Sequence, residues 1–114
     1  MNDCLFCNIA EKQVPARIVF EDALCLAFDD INPQAPHHVL VIPRAHFATL
    51  DDVPASEVAL LGHLVTVASR IARDRGLDSS GYRLVANCRE QAGQSVFHVH
   101  VHLMGGRSFR WPPG

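Results

Sequence analysis

Three histidines alternate with aliphatic residues near the end of the chain, at His98, His100 and His102. Successive side chains of a β-strand point to opposite faces, with a rise of ~3.3 Å per residue, so these imidazoles would line one face. The apolar residues around them would then enter the core: Phe97, Val99, Val101 and Leu103. Burial and like charge both disfavour the protonated form of neighbouring imidazoles. Three histidines in a row therefore destabilise the fold unless they bind or transform a ligand. The pattern predicts binding or catalysis, with a chance histidine-rich exposed strand as the alternative.

The segment Gly93-Gln94-Ser95 comes just before these histidines. A glycine-containing bend can aim backbone N–H groups at an anion, although most such glycines only form a turn. A neutral imidazole can attack phosphorus, and a second imidazole can give a proton to the leaving group. His100 and His102 are the candidates for these two roles. The chain contains neither a Walker-type glycine loop nor a dinucleotide fingerprint.

Asp30 follows an apolar strand pattern that ends at Phe28. A carboxylate accepts hydrogen bonds from two hydroxyl groups, so Asp30 is a candidate for holding a sugar diol. The alternative is an ordinary aspartate that caps a turn.

Cys4 and Cys7 form a single CxxC motif. Redox use would need a helix start near a βαβ pattern, which the sequence lacks. Zinc would need two further ligands, for which His46 and one histidine of the alternating segment are the nearest candidates. The two cysteines could also pack as small hydrophobic residues.

Composition favours a single soluble domain over residues 1–114, with 48% hydrophobic and 19% charged residues. The net charge of −2 gives no electrostatic footprint for nucleic acid. No run approaches the ~20 apolar residues of a membrane span, and the first residues lack a signal-peptide pattern. Four cysteines are then expected in a reducing compartment, so a cytoplasmic location is predicted.

The elements that must position these residues follow from hydrophobic periodicity. A short helix is predicted over Leu5–Ala10, a long helix over 54–75, and strands over 17–20, 23–28, 38–42, 82–88 and 96–104. The long helix has an apolar stripe, with Leu64 and Ile71 beside it: Val58, Leu61, Val65, Ala68 and Ala72. Local hairpins and one long helix predict an α+β fold with a five-stranded antiparallel sheet.

The segment 94–106 resembles the histidine triad (HIT) signature, in which histidines alternate with apolar residues. The resemblance covers the whole chain, and Trp111-Pro112-Pro113-Gly114 is similar to the end of the Hint branch, the histidine triad nucleotide-binding proteins. It implies hydrolysis of purine nucleoside 5′-phosphoramidates to AMP and an amine. A dinucleoside polyphosphate hydrolase of the Fhit type and a nucleotide-binding regulatory module are the alternatives.

The resemblance also implies residue roles. His100 matches the histidine that becomes nucleotidylated, and His102 matches one that contacts the phosphate and the leaving group. Asp30 matches the ribose-binding acid. The α-phosphate segment corresponds to Gly93, Gln94 and Ser95, and the other pocket positions to Leu5, Phe6, Ile9, Val14, Ile31, His38 and Asn87. Arg89-Glu90-Gln91-Ala92 departs from the glycine-rich Hint loop on the leaving-group side.

Cys4 and Cys7 resemble the CxxC pair of bacterial members of this family, in which the two cysteines and two histidines bind zinc. The resemblance therefore implies a structural zinc ion held in this chain by Cys4, Cys7, His46 and His98. It also implies a homodimer with joined sheets, in which Trp111 approaches the partner's active site. Strand 82–88 is a predicted contact surface, because an unpaired strand edge invites pairing. The Leu60 and Leu64 side of the long helix is a second one if the core of the single chain does not use all of it.

Overall fold

A computed structural model describes residues 2–114 and has the predicted α+β architecture. Two helices and five strands make up the fold: α1 (Leu5–Ala10), β1 (Ile18–Glu21), β2 (Cys25–Asp29), β3 (His37–Pro43), α2 (Val58–Asp74), β4 (Tyr82–Val85) and β5 (Val101–Gly105). The strands form one sheet in the order β1-β2-β3-β5-β4, and every neighbouring pair is antiparallel. β5 therefore lies between β3 and β4, inside the sheet.

Alternation along the strands separates two faces of the sheet. Val39 and Val41 of β3 and Leu103 of β5 join the core beneath α2. Leu40 and Phe28 belong to a second apolar cluster on the other face, together with Phe6 of α1. The strand period of two thus places α2 on one side and the end of the histidine segment on the other.

α2 begins at Val58, four residues later than the predicted start at 54. Two 3₁₀ turns, Leu50–Asp52 and Ala55–Glu57, precede it. The side chain of Asp52 accepts hydrogen bonds from the backbone N–H and the hydroxyl of Thr49. Asp52 therefore closes its own turn and does not supply charge to the start of α2.

The buried face of α2 also differs from the predicted stripe. Val58 and Val65 are 70% and 48% exposed, whereas Leu60 and Leu64 are buried. The members of the buried face are Leu60, Leu64, Val67, Ala68, Ile71 and Ala72. The core of the single chain uses Leu60 and Leu64, so the condition for this side of the helix to serve as a contact surface is not met. Two apolar stripes lie side by side on this helix, and periodicity cannot tell which one meets the sheet.

The C-terminus of α2 is closed by Arg75, Gly76 and Leu77. The N–H of Gly76 donates to the carbonyl of Arg73, and that of Leu77 donates to the carbonyl of Ala72. These two hydrogen bonds together form the Schellman motif. The motif needs one residue in the left-handed conformation, and Gly76, with φ +73°, provides it.

The two last strands are shorter than predicted. β5 starts at Val101, so residues 96–100 form an irregular lead into it with a bend at 96–98, and β4 ends at Val85. Phe97 is 41% exposed and not in the core, because the bend at 96–98 turns it outward. Val99, Val101 and Leu103 are buried as predicted.

The segment Ala55–Asp74 has the length and mean hydropathy, 20 residues and 1.2, that a membrane span requires. The prediction that no run approaches the length of a membrane span is therefore not met by length and composition. Its buried face packs against the sheet.

Candidate active site

A cleft of about 420 Å³ opens on the face of the sheet opposite α2. One end is apolar and is lined by Leu5, Phe6, Ile9, Val14, Phe28 and Leu40. The other end is polar and is lined by Asp30, His38, Ser95, His100 and His102. Ile31 lies at the rim and is 99% exposed. An apolar slot beside converging polar groups suits a flat aromatic ring that carries a polar or charged extension.

His100 has one free ring nitrogen. Its Nδ1 lies 2.7 Å from the carbonyl oxygen of His98, an acceptor, so Nδ1 carries the proton and Nε2 keeps its lone pair. The edge of the Phe6 ring packs against the imidazole, with centroids 5.1 Å apart. Burial lowers the pKa of His100 below its usual value. The side chain is thus a neutral, oriented imidazole with a nucleophilic nitrogen.

A chain of hydrogen bonds also fixes the tautomers of His38 and His102. The backbone N–H of Gln34 can only donate, and it lies 3.0 Å from Nδ1 of His38. A neutral His38 therefore carries its proton on Nε2, which lies 2.9 Å from Nδ1 of His102. His102 in turn must carry its proton on Nε2. The result is a second neutral imidazole with an N–H donor at the polar end of the cleft.

The electrostatics of these two rings keep both neutral. Burial, together with the neighbouring His100 and His38, lowers the pKa of His102 to about 4. Burial also lowers the pKa of His38, opposed by Asp30, whose Oδ2 lies 3.5 Å from His38 Nε2.

Four potential metal ligands converge beside the cleft: Cys4, Cys7, His46 and His98. Nδ1 of His98 lies 3.4 Å from the Cys4 sulfur and 3.6 Å from the Cys7 sulfur. The Cys7 sulfur is 3.4 Å from His46 Nδ1, and the two Nδ1 atoms are 3.1 Å apart. With ordinary zinc bond lengths, a tetrahedron requires separations of about 3.6 Å between sulfur and nitrogen and about 3.3 Å between nitrogens. The donor set therefore fits tetrahedral zinc.

The surroundings of this cluster support the same conclusion. Nε2 of His98 lies 2.8 Å from the carbonyl oxygen of Pro43, so the proton sits on Nε2 and Nδ1 faces the sulfurs with its lone pair. Cys4 is the N-cap of α1, and its sulfur accepts from the N–H of Cys7 at 3.4 Å. Although the pair does lie at a helix start, no βαβ unit accompanies it in residues 2–114. Without a metal, burial raises the pKa of the Cys7 thiol to about 11, which disfavours redox use.

Two other side-chain clusters do not suit a metal. In the group of Asp30, His38 and His102, the lone pair on Nδ1 of His38 already accepts a hydrogen bond from a backbone amide, so a metal on Nε2 would require an imidazolate. In the group of Asp22, Cys25 and His63, Asp22 Oδ2 bonds His63 Nε2 at 2.7 Å and Oδ1 accepts two backbone N–H groups. This second group joins the turn after β1 to α2.

Four predicted pocket residues lie outside the cleft lining: Asn87, Gly93, Gln94 and Trp111. The side chain of Gln94 is buried, with Oε1 accepting from Arg89 N–H and Nε2 donating to the carbonyls of Ala48 and Val96. It braces the loop that carries Ser95. Trp111 is 84% exposed.

Two groups that organise the site were missed by sequence reasoning: the N–H of Gln34 and the carbonyl of Pro43. Both are backbone atoms, so no residue type signals them.

Comparisons with known proteins support the resemblance of this chain to the HIT family. The model of the HIT domain family matches residues 11–109. An uncharacterized HIT-like protein of Synechococcus elongatus is 51% identical over 98% of this chain and 97% of its own length. The purine nucleoside phosphoramidase of Escherichia coli K12 is 44% identical over 92% of this chain and 88% of its own length. A crystal structure of a HIT family hydrolase from Legionella pneumophila has a TM-score of 0.96 at 50% identity, covering 98% of this chain and 100% of that one. The chain therefore belongs to the HIT domain family.

Proposed function

We propose that this protein is a hydrolase that cleaves purine nucleoside 5′-phosphoramidates to a nucleoside monophosphate and an amine. The observation that carries the proposal is the free Nε2 of His100, set by the bond from Nδ1 to the His98 carbonyl at the polar end of the cleft. The 44% identity to an Escherichia coli protein named purine nucleoside phosphoramidase supports this substrate class.

The cleft can hold a nucleotide in one orientation. The purine ring enters the apolar end, walled by Leu5, Phe6, Ile9, Val14 and Ile31. Asp30 accepts hydrogen bonds from the ribose hydroxyl groups, which leaves the phosphorus near His100, His102 and Ser95. The backbone N–H of Ser95 and the side chain of Asn87 complete the contacts to phosphate and ribose, since the N–H groups of Gly93 and Gln94 already donate to the carbonyls of Glu90 and Arg89.

The reaction proceeds in two steps at phosphorus. In the first step, Nε2 of His100 forms a bond to phosphorus while the P–N bond to the amine breaks, and the departing nitrogen takes a proton from solvent while the Nε2–H of neutral His102 and the Ser95 hydroxyl hydrogen-bond the phosphate and the leaving group. In the second step, a water oxygen bonds phosphorus, the P–Nε2 bond breaks, and the water proton is released to solvent. The products are the nucleoside monophosphate, the amine and the unmodified enzyme.

We further propose that Cys4, Cys7, His46 and His98 hold a zinc ion. Bound there, zinc would be structural, joining α1, the segment after β3 and the lead into β5. His98 then stays neutral and fixed, and its carbonyl holds Nδ1 of His100. The chemistry at phosphorus needs no cofactor.

Assembly as a homodimer is proposed on two exposed surfaces. β4 is an edge strand of the sheet, and α2 exposes Val58 and Val65. Pairing along β4 would join two sheets and bring Trp111 towards the partner's cleft. Four free cysteines suit a reducing compartment, so we place the protein in the cytoplasm. No contact with nucleic acid or membrane is part of the proposal.

The decisive test is turnover of a small panel of substrates by the wild type and by His100→Ala. The panel contains adenosine 5′-phosphoramidate, an aminoacyl adenylate and diadenosine polyphosphates. We expect turnover of the first two, a loss of at least ~10³-fold in kcat for His100→Ala, and nucleotide trapped on His100 after a basic quench.

Three outcomes would contradict this function. Preferred cleavage of diadenosine polyphosphates would favour the Fhit-type activity. Tight AMP binding with no turnover of any substrate would favour a regulatory module. Normal activity of His100→Ala would refute the covalent mechanism.

A further inference from the structure

Arg75 of the α2 C-terminus contacts both ends of the loop that carries the proposed ribose acid. Its Nη2 donates to Asp29 Oδ1 at 3.1 Å, and its Nη1 lies 3.4 Å from Nδ1 of His37. Asp29 is the last residue of β2, and His37 is the first residue of β3. One guanidinium thus spans the point where the loop leaves the sheet and the point where it returns.

The next residue after each contact lines the cleft opposite α2: Asp30 follows Asp29, and His38 follows His37. Asp29 also borders this cleft, whereas His37 and Arg75 are not among its lining residues. Successive side chains in a strand alternate between faces. Fixing the positions of Asp29 and His37 therefore restricts the backbone positions of their neighbours Asp30 and His38. The backbone N–H of Asp30 also donates to the carbonyl of His38 at 2.9 Å, which couples the two ends directly.

The C-terminal end of α2 positions Arg75 beside Asp29 and His37. The Schellman bonds of Gly76 and Leu77 fix the backbone at the C-cap, and Leu77 packs so closely on β5 that a Cβ on Gly105 would lie 2.8 Å from its Cδ1. The ion pair is partly buried, with Arg75 and Asp29 side chains 24% and 28% exposed. A planar guanidinium can make both contacts at once, which an ammonium group cannot match.

We propose that Arg75 is a positioning residue for ribose recognition, acting from the α2 face through Asp29 and His37 on Asp30 and His38. This inference rests on the proposed function, because it takes Asp30 as the ribose-binding acid. Arg75 touches no substrate. Its effect therefore should depend on whether the ligand has ribose hydroxyl groups.

The test compares the binding of AMP and of 2′,3′-dideoxy-AMP by calorimetry, which needs no turnover. We expect Arg75→Met to weaken AMP binding by about fivefold, a typical coupling within one hydrogen-bond network, and to leave dideoxy-AMP binding unchanged. Arg75→Lys should fall between the wild type and Arg75→Met, and Asp29→Asn should behave as Arg75→Met does. In an Asp30→Ala background, Arg75→Met should have no further effect.

Arg73→Met is the matched control, because Arg73 lies in the same helix end and its guanidinium donates to the Ser69 hydroxyl at 3.5 Å, away from Asp29 and His37. It should retain the wild-type preference for AMP, and Tm is measured for every variant. If Arg75→Met weakens both ligands equally, or neither, the positioning role is refuted while the proposed function stands. If the wild type itself does not distinguish AMP from dideoxy-AMP, the ribose assignment of Asp30 is wrong and the inference falls with it.

Discussion

The imidazole of His38 connects a backbone amide to the imidazole of His102, with its Nε2 2.9 Å from Nδ1 of His102. The Gln34 N–H at its other nitrogen leaves one proton arrangement for two neutral rings. His102 consequently presents an N–H to the cleft, while His100 presents a lone pair. Two identical side chains thus receive opposite roles: the Gln34 N–H acts through His38 on His102, and the carbonyl of His98 acts on His100.

His102→Ala should slow substrates with basic, poor leaving groups more than substrates with acidic ones. Only a basic amine needs a proton as the P–N bond breaks, and the Nε2–H of His102 stabilises that departure by hydrogen bonding to the leaving group. Kinetics across a series of amines and phenols of graded pKa would measure the difference. His63→Ala is the control, since His63 lies on α2 and pairs with Asp22 in the turn after β1. Equal losses across the series would show that His102 only contacts the phosphate.

The activity of the enzyme should persist well below pH 6. Burial and the two neighbouring histidines lower the pKa of His102 to about 4, so its neutral form dominates above that pH. Because the unfolded chain binds this proton more tightly, stability is fully present above the ordinary histidine pKa of about 6.5 and falls as the pH drops towards 4. Profiles of kcat/KM and of Tm from pH 4 to 8 test both statements. An acidic limb centred near pH 6.5 would contradict the environment described for His102.

Zinc should co-purify at about one ion per chain from protein without an affinity tag. Cys4→Ser and His46→Ala should lower both the zinc content and Tm, since the ligands join three separate segments of the chain. Cys88→Ser is the matched control, because Cys88 is a free cysteine outside the cluster. Metal analysis and calorimetry decide the matter. Metal-free protein of unchanged stability would mean that Cys4 and Cys7 are merely packed.

Val65→Glu should convert the proposed dimer into a monomer in light scattering at micromolar concentration. Val65 lies on the exposed face of α2, where a charge would oppose burial against a partner. Leu24→Glu is the control, because Leu24 is also an exposed apolar residue but follows β1 on another side of the sheet. A wild type that is monomeric and fully active would refute this assembly.

Deletion of residues 111–114 should alter selectivity among leaving groups more than it alters Tm. Trp111 is exposed in the single chain, so few contacts are lost within it, whereas in the proposed dimer it lies near the partner's cleft. Kinetics on two phosphoramidates with small and large amines measure selectivity. Unchanged selectivity would remove Trp111 from the proposed site.

Much of this protein was predictable from local pattern. The short helix Leu5–Ala10 and the antiparallel five-stranded sheet are confirmed, because caps, alternation and strand length act within a few residues. Element ends were less predictable. β5 starts at Val101 and not at 96, since hydrogen-bond pairing with β3 decides where a strand begins.

Tertiary structure decided what periodicity leaves open. Two apolar stripes run along α2, and only packing against the sheet chose Leu60 and Leu64 over Val58 and Val65. Likewise, alternation predicts that three histidines share a face but does not distinguish them. Contacts formed on folding made the distinction: the distant Pro43 orients His98, Gln34 through His38 orients His102, and the nearby carbonyl of His98 orients His100. Those partners are mostly backbone groups and remote in sequence, so their positions exist only once the chain is folded.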